Sequence, residues 1–231
     1  MNYKKYEAII LCGGLGTRFR EVSDNTPKIL ADVSGKKVLE WLVEDLISIG
    51  IKKIILATGY LSSEIELFIK KMNFKNFIVS REDKPLGTGG AIKNAEKYIS
   101  GNNFFVLNGD SRIKYNFFNL LRFHLHNKAD MSLLLSSITK GSDFGKVKIS
   151  VNKKILGFTE KKNNYDFPFI NSGVYCMEKS ILEEIKFNCK CSLENELLPQ
   201  WVKEKRVFGH TVNIPFVDIG TRERYFEANF D

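Results

Sequence analysis

The sequence predicts an α/β fold with a Rossmann-like, mostly parallel mixed sheet and helices on both faces. An apolar run over residues 8–12 ends abruptly at Gly13 and Gly14, which is typical of a buried parallel strand that leads into a ligand-binding loop. Beyond that loop, segments with helical apolar spacing alternate with short apolar runs as far as residue 108. This alternation predicts a parallel sheet that is covered by helices on both sides.

The first half of the chain supplies the regular part of this alternation. Apolar residues over 38–49 recur with helical spacing, and Gly50 provides a common stop signal for a helix. The following apolar runs and helical patterns predict strands over 53–57, 76–80 and 103–108, and helices over 62–72 and 88–99.

The second half has a mixed pattern. Asn116 is a good N-cap for a helix, and a strand follows over 131–137. Two alternating segments meet at Asn152, which predicts a hairpin, and a later strand follows over 169–177. The alternative for that strand, without a ligand, is an edge strand with a bulge at Gly173. We expect this half to form one wall of a cleft at the carboxyl ends of the parallel strands. Its remaining patterns predict helices over 180–185 and 192–205, a strand over 207–213, and a short helix capped by Thr221.

Composition excludes several classes of protein. The chain has 231 residues and a net charge of +8, but its lysines are dispersed, so we expect no nucleic-acid partner. It has no apolar run long enough to span a bilayer and no signal-peptide pattern, so we expect no membrane partner. Its four cysteines have neither disulfide-framework nor zinc-site spacing, which favours reduced thiols in the cytoplasm.

The loop after the first strand predicts a cradle for a triphosphate. Gly13, Gly14 and Gly16 allow backbone N–H groups to surround an anion, and Arg18 adds a fixed positive charge. A P-loop is excluded because no Lys-Ser or Lys-Thr follows, and a dinucleotide fingerprint is excluded because Phe19 occupies the third glycine position. The alternative is a tight turn without a ligand.

Two aspartates that are far apart in the sequence have similar surroundings. Asp110 follows the strand over 103–108, and Asp218 closes another apolar run before a glycine. An aspartate close to a glycine is also common in tight turns, so neither residue alone indicates a site. Together they could hold one Mg²⁺ ion that is shared with substrate phosphates.

A second glycine-rich loop, residues 84–91, enters a predicted helix. Its free N–H groups suit an anion or the edge of a base, because a glycine backbone can approach a planar ring closely. A helix-entry loop without a ligand explains the same residues equally well. Both interpretations stay open on the chemistry of the residues alone.

These segments resemble the signature of the sugar-1-phosphate nucleotidyltransferases. The resemblance rests on Gly13-Gly14-Leu15-Gly16-Thr17-Arg18 followed by Pro27-Lys28, on Pro85-Leu86-Gly87-Thr88-Gly89-Gly90, and on Asp218-Ile219-Gly220-Thr221. Within that family the chain is most similar to the D-glycero-α-D-manno-heptose 1-phosphate guanylyltransferases. The resemblance implies the nucleotide-diphospho-sugar transferase fold in one domain, with a nucleotide-binding half over about 1–137 and a sugar-binding half over about 138–231.

The resemblance also implies roles for individual residues. The catalytic residues would be Arg18, Lys28, Asp110 and Lys161, and the Mg²⁺ ligands would be Asp110 and Asp218. The nucleotide would bind Leu11, Gly13, Gly14, Gly16, Thr17, Glu82, Gly87 and Thr88. The sugar would bind Asn108, Glu160, Asn171 and Glu194. Three positions depart from the family pattern, since Lys162 replaces a usual proline and Arg222 and Arg224 stand where relatives often have proline and an acidic or polar residue.

The implied reaction is the transfer of a nucleoside monophosphate, GMP from GTP, to a sugar 1-phosphate with release of pyrophosphate. No nucleophilic side chain is indicated by motif, which fits a direct displacement in which the sugar phosphate supplies its own oxyanion. The alternatives are a nucleotidyltransferase for another sugar phosphate or choline phosphate, a catalytically silent nucleotide sensor, and a glycosyltransferase. A homo-oligomer is compatible with the sequence.

Overall fold

The computed structural model describes residues 6–14, 26–72, 74–137, 144–159 and 167–230. Its strands are β1 Glu7–Leu11, β2 Asp32–Val33, β3 Lys36–Lys37, β4 Lys53–Thr58, β5 Phe77–Arg81, β6 Asn103–Asn108, β7 Ser111–Arg112, β8 Met131–Ser136, β9 Lys146–Ile149, β10 Ile155–Thr159, β11 Phe169–Glu178, β12 Val207–Val212 and β13 Val217–Asp218. Its α-helices are α1 Val38–Ser48, α2 Ser62–Ile69, α3 Gly87–Ala95, α4 Phe117–His126, α5 Leu198–Glu204 and α6 Arg222–Glu227.

The first half of the chain forms a parallel four-stranded ladder in the order β6-β1-β4-β5. β1 lies between β4 and β6, so Ile9 is opposite both Ile55 and Val106. The carboxyl ends of parallel strands meet at one edge of a sheet, where ligands bind in this class of fold. The glycines after β1 and Asp110 after β6 therefore lie at the same edge.

The second half continues the same sheet on the far side of β6. β11 pairs antiparallel with both β6 and β8, and β9 and β10 form an antiparallel hairpin beside it. β12 is parallel to β8. Gly173 lies at an irregularity in the register of β11 and has φ +75°, so the bulge is present. The alternative of an edge strand is wrong, because β11 has partners on both sides.

Two apolar layers cover the sheet. Along β1, Ala8 and Ile10 pack into one layer, whereas Ile9 packs into the other, since alternate residues of a strand point to opposite faces. All three side chains are fully buried. Burial of each isoleucine contributes about 1.5–3 kcal/mol, so both layers favour this strand in the centre of the sheet. The predicted α/β fold with helices on both faces is confirmed.

Local signals mark several element ends as predicted. The helix α1 is followed by Gly50 at φ +83°, and Asn116 caps α4 by accepting a hydrogen bond from the N–H of Phe118. Thr221 caps α6 by accepting one from the N–H of Arg224. No described helix has the length and apolar character that crossing a membrane requires.

Candidate active site

A short antiparallel ladder brings the two aspartates together. β13 pairs with β7, which places Asp218 opposite Ser111, and the N–H of Ile219 donates to the backbone oxygen of Asp110 at 2.9 Å. Asp110 and Asp218 line the same cavity, which has a volume of about 250 Å³. The sequence pattern does not show a pairing between segments that are so far apart in the chain. The family resemblance nevertheless implied that the two aspartates share one site.

Each carboxylate is already paired with a cationic side chain. Lys28 Nζ lies 2.5 Å from Asp110 Oδ2, and Arg224 Nη1 lies 2.8 Å from Asp218 Oδ2. The second oxygen of Asp218 accepts a hydrogen bond of 2.6 Å from the N–H of Gly220. The two carboxylates differ in exposure, since 41% of the Asp110 side chain is exposed but only 9% of the Asp218 side chain.

The electrostatics of Asp218 reflect this burial. Burial raises the pKa of its carboxyl above the usual value, and the Gly220 N–H and the Arg224 guanidinium oppose that rise. The negative charge of Asp110 raises the same pKa further, which agrees with the closeness of the two carboxylates. Two acidic groups held near each other in a partly buried site favour a shared positive charge.

The donor set fits a divalent cation that completes its coordination with substrate oxygens. Asp110 and Asp218 offer hard carboxylate oxygens, which Mg²⁺ prefers in small numbers beside phosphate oxygens and water. Among the described residues no cluster of three or more His, Cys, Asp or Glu could hold a metal by itself. The protein would therefore contribute a two-carboxylate site rather than a complete cage.

A hydrogen-bonded chain of side chains forms the opposite wall of this cavity. Thr88 donates its hydroxyl to Glu194 at 2.6 Å and accepts the N–H of Leu193 at 2.8 Å. The Tyr175 hydroxyl donates to the other oxygen of Glu194 at 3.3 Å and accepts the Asn171 amide at 2.7 Å. Because Tyr175 is fully buried, it holds the carboxylate and the amide in fixed positions.

Asn108 occupies the floor between these two walls. Its side-chain oxygen is buried and has no hydrogen-bond partner within the described part of the chain. Gly173 packs against it so closely that a Cβ there would lie 2.6 Å from Asn108 Nδ2. A buried acceptor without a donor is costly, so Asn108 is suited to a donor group on a ligand.

The first glycine-rich loop is open in the part that the structure describes. A Cβ on Gly14 would meet nothing within 4 Å, whereas one on Gly13 would lie 3.3 Å from both Glu82 Oε1 and Gly59 N. The backbone oxygen of Leu11 accepts the N–H of Gly109 at 2.9 Å, which ties this loop to the end of β6. The other predicted residues of this loop, Gly16, Thr17 and Arg18, lie outside the described residues.

A second cavity, of about 530 Å³, lies beside Gly13. Glu82 lines it and is only 9% exposed, and its Oε2 accepts the N–H of Leu86 at 2.9 Å. Burial raises the pKa of Glu82, although the Leu86 hydrogen bond opposes the rise. The other residues that line this second cavity are Gly59, Tyr60, Leu61, Arg81, Asp83, Lys84 and Pro85. A cavity of about 600 Å³ lies at the opposite edge of the sheet, beside Glu7 and Lys53, away from all of these groups.

The second glycine-rich loop is covered by another part of the chain. The N–H groups of Gly89 and Gly90 donate to the backbone oxygen of Cys191 at 3.0 and 3.3 Å, and the N–H of Cys191 donates to Leu86 O at 2.9 Å. Gly87 has φ +71°. These two amides are therefore not free for a base or an anion. Thr88 faces the cavity that holds Glu194, and its role in binding the nucleotide stays a prediction.

Comparison with known proteins agrees with this geometry. The family model for nucleotidyl transferase matches residues 7–231. The chain belongs to the nucleotidyl transferase family. The predicted resemblance to the sugar-1-phosphate nucleotidyltransferases is thereby confirmed, and so is the prediction of an enzyme of this class. Nucleotidyltransferases of this family generally use a divalent metal ion.

Two curated relatives indicate where in the family the chain is placed. It is 34% identical over 223 residues to the D-glycero-α-D-manno-heptose 1-phosphate guanylyltransferase of Aneurinibacillus thermoaerophilus, covering 96% of each chain. It is 32% identical over 220 residues to the mannose-1-phosphate guanylyltransferase catalytic subunit beta of Xenopus tropicalis, covering 93% of this chain but 61% of that protein. This nucleotidyltransferase therefore matches the first relative over nearly its full length.

A solved structure supports the same placement. HddC from Yersinia pseudotuberculosis, complexed with GMP-PN, superposes on this nucleotidyltransferase with a TM-score of 0.85 and 34% sequence identity. The match covers 96% of this chain and 97% of that one. The agreement extends over both halves of the fold rather than over the parallel strands alone.

The structure of this nucleotidyltransferase places most of the predicted site residues in three groups, while Leu11, Gly14 and Gly87 line neither of the two cavities concerned. Lys28 is paired to Asp110, and one cavity is lined by Thr88, Asn108, Asp110, Asn171, Glu194 and Asp218. Gly13 and Glu82 line the second cavity. Glu160 and Lys161, like the far part of the first loop, lie outside the described residues.

Three residues of the site were not predicted. Tyr175 belongs to the recognised Asn171-to-Tyr175 segment, so its motif was a usable signal for a role in the wall. Arg224 was noticed only as a departure from the family pattern. Nothing in the sequence indicated that Cys191 covers the second glycine-rich loop, because that contact joins segments about a hundred residues apart by their backbones.

Proposed function

We propose that this nucleotidyltransferase transfers GMP from GTP to D-glycero-α-D-manno-heptose 1-phosphate and releases pyrophosphate. The observation that carries the proposal is the β7–β13 pairing, which holds Asp110 and Asp218 at one cavity opposite the Thr88–Glu194–Tyr175–Asn171 wall. The named activity of the relative that matches over nearly its full length supports the choice of nucleotide and sugar. Mannose 1-phosphate is the second candidate acceptor, because the relative that this chain covers to only 61% of its length is named for that substrate.

The reaction is a direct in-line displacement on the α-phosphorus of GTP. The acceptor brings its own phosphate oxyanion, so the enzyme needs to align the reactants and balance the developing negative charge. Lys28 stands at the Asp110 carboxylate, where its ammonium group is placed to contact a phosphate oxygen. Arg18 and Lys161 complete the cationic set in this proposal, Arg18 on the leaving pyrophosphate and Lys161 on the acceptor phosphate.

Asp110 and Asp218 hold the Mg²⁺ ion in this proposal. When bound, Mg²⁺ neutralises charge on the phosphate oxygens and draws the two substrates to the same point. Asp110 lies in the turn before β7 and Asp218 lies in β13, so the β7–β13 ladder holds the two carboxylates near each other.

The two cavities divide recognition between sugar and base. Glu194 and Asn171 are held by Tyr175 in the smaller cavity, where a carboxylate and an amide suit the hydroxyl groups of a sugar. Asn108 contributes the acceptor that lacks a donor. The larger cavity, beside Gly13 and Glu82, receives the guanine, whose N–H groups need acceptors such as the Glu82 carboxylate and nearby backbone oxygens.

We also propose that the two halves, about 1–137 and about 138–231, work as one domain in the cytoplasm. The pairing of β11 with β6 supports the first part, because it joins the halves within one sheet. Cys12, Cys176, Cys189 and Cys191 are free thiols, which suits a reducing compartment. A homo-oligomer stays a prediction.

The test of the activity is pyrophosphate release measured with five nucleoside triphosphates against heptose, mannose and glucose 1-phosphates. We expect the highest kcat/KM for GTP with the heptose phosphate. A higher value for mannose 1-phosphate would correct the acceptor and leave the guanylyl transfer in place. Nucleotide binding without turnover for any pair would favour the sensor instead of the enzyme.

The substitution Asp110→Asn tests the cation site. It keeps the shape of the side chain but removes half of the carboxylate pair, so we expect kcat to fall by at least about 100-fold. GTP binding measured by calorimetry without added metal should change far less. Asp32→Asn is the matched control, because Asp32 is an exposed carboxylate paired with Lys37 on the β2–β3 hairpin. Equal activity in both variants would remove Asp110 from the mechanism.

A further inference from the structure

Several contacts hold Arg224 beside the buried aspartate. Its Nη1 donates to Asp218 Oδ2 at 2.8 Å, and its guanidinium carbon lies 4.9 Å from the centre of the Phe144 ring. Its backbone N–H donates to the Thr221 hydroxyl at 3.3 Å. Only 20% of its side chain is exposed, so the guanidinium has a defined position at the edge of the cavity.

The neighbouring glycine makes room for this position. A Cβ on Gly220 would lie 2.6 Å from Asp218 Oδ1 and 2.9 Å from Arg224 Nη2. Any larger residue would therefore require the carboxylate or the guanidinium to move. The same glycine donates its N–H to Asp218 Oδ1, so the backbone and Arg224 hold one carboxylate oxygen each.

The charges of the cavity show what a cation would meet there. The described carboxylates of the cavity are Asp110, Glu194 and Asp218, while Lys28 pairs with the first and Arg224 with the last. A divalent cation that approaches Asp218 would lie within a few ångströms of the guanidinium. Two positive groups at that distance repel strongly in a partly buried site, where solvent screening is weak.

We propose that Arg224 competes with the divalent cation for Asp218, so that the protein alone binds the cation weakly and binds it well only together with the triphosphate. This inference rests on the proposed role of Asp110 and Asp218. The phosphate oxygens of the nucleotide supply the additional negative charge that offsets the guanidinium. Arg224 is a positioning residue, because it acts through Asp218.

The test uses Mn²⁺ alone, titrated into nucleotide-free protein and measured by electron paramagnetic resonance. Arg224→Gln removes the charge, and we expect its Kd for Mn²⁺ to be at least about tenfold lower than that of the wild type. Arg224→Lys keeps the charge and should stay within about threefold of the wild type. Arg222→Gln is the matched control, because Arg222 is exposed and stacks on Phe226 at 5.8 Å, and its Kd should not change.

A double variant distinguishes a failure of this inference from a failure of the proposed function. Adding Asp218→Asn to Arg224→Gln should abolish the gain in Mn²⁺ affinity. If the single variant binds Mn²⁺ no better than the wild type, or binds it more weakly, Arg224 does not compete and the inference is wrong. If the single variant binds tightly and the double variant keeps that affinity, the cation is not at Asp218 and the two-aspartate site itself is wrong. Should Arg224→Gln fail to fold, a gain in affinity for Arg224→Lys as large as tenfold would contradict the competition equally well.

Discussion

The two glycine-rich loops of this nucleotidyltransferase look alike in sequence but differ in their surroundings. At Gly14 in the first loop, an added Cβ would meet no atom of the described residues within 4 Å. In the second loop, a Cβ on Gly87 would lie 2.5 Å from the backbone oxygen of Cys191, and one on Gly90 would lie 2.6 Å from that of Cys189. Among the described residues, Gly14 of the first loop therefore has open space beside it, whereas Gly87 and Gly90 of the second loop are covered by the segment that contains Cys189 and Cys191.

This difference shows that glycine has two distinct uses in one site. In the first loop the absence of a side chain leaves backbone groups open to an anion. In the second loop it allows a segment from the second half of the fold to lie directly on the entry of α3. That contact carries Leu193 and Glu194 to Thr88, so the packed loop helps to build the wall that the proposed function assigns to the sugar.

The largest effect that would test this comparison is expected for Gly87→Ala. The alanine must adopt a left-handed conformation at φ +71° and also displace the Cys191 carbonyl, so we expect a loss of about 3 kcal/mol in the free energy of unfolding. Gly50→Ala is the matched control, because Gly50 has φ +83° and open space around it, and should lose only about 1 kcal/mol. Denaturant titration measures the free energy of unfolding of both variants. The difference between their losses is the cost of the contact with Cys191, because both alanines adopt a positive φ. Equal losses would mean that the Cys191 segment does not crowd the loop.

An intermediate effect, on binding rather than stability, is expected for Gly14→Ala. The added methyl group has open space and no unusual φ to adopt, so the free energy of unfolding should stay the same or rise by up to about 1 kcal/mol. If the loop cradles the triphosphate, the methyl group stands where phosphate oxygens approach, and the Kd for GTP should rise about tenfold, or about 1.4 kcal/mol. Calorimetric titration with GTP measures this, and an unchanged Kd would show that the open loop is not the cradle.

The smallest effect concerns Glu82, which lies between the two loops. Its folded-state pKa is raised by burial, so the folded state binds the proton more tightly than the unfolded state does. Its contribution to stability is therefore fully present below the unfolded value of 4.5 and is lost as the pH rises through the folded value.

Glu82→Gln should remove this pH dependence while keeping an acceptor for the Leu86 N–H. We expect the variant to be slightly more stable than the wild type at neutral pH and to lose that advantage below about pH 4.5. Thermal unfolding over pH 4 to 8 provides the measurement. An advantage that is the same at every pH would show that the carboxyl of Glu82 is not the group responsible.

The fold was predictable to a large extent because its signals are local. The apolar run that became β1, the helical spacing that became α1, and the caps at Asn116 and Thr221 each act within a few residues of themselves. The position of β11 was not predictable, since its ten residues fit an edge or a central strand equally well and only pairing with β6 and β8 decides between them.

The candidate site divides in the same way. Residue types singled out Asp110 and Asp218 only as a pair, and the resemblance to the family supplied Asn171 and Glu194. The partners of these groups were not visible. The pairing of Asp218 with Arg224, the closing of Gly87 by Cys191, and the holding of Glu194 by Tyr175 all depend on contacts between distant segments.

The sequence by itself determined the order of strands and helices, the family, and the chemical types available at the carboxyl edge of the sheet, because each follows from patterns within short windows. Only the tertiary structure decided which glycines are open to a ligand and which cation stands beside each aspartate. The physical reason is that space and charge around a residue are set by neighbours in three dimensions, and the sheet brings those neighbours from both halves of the chain.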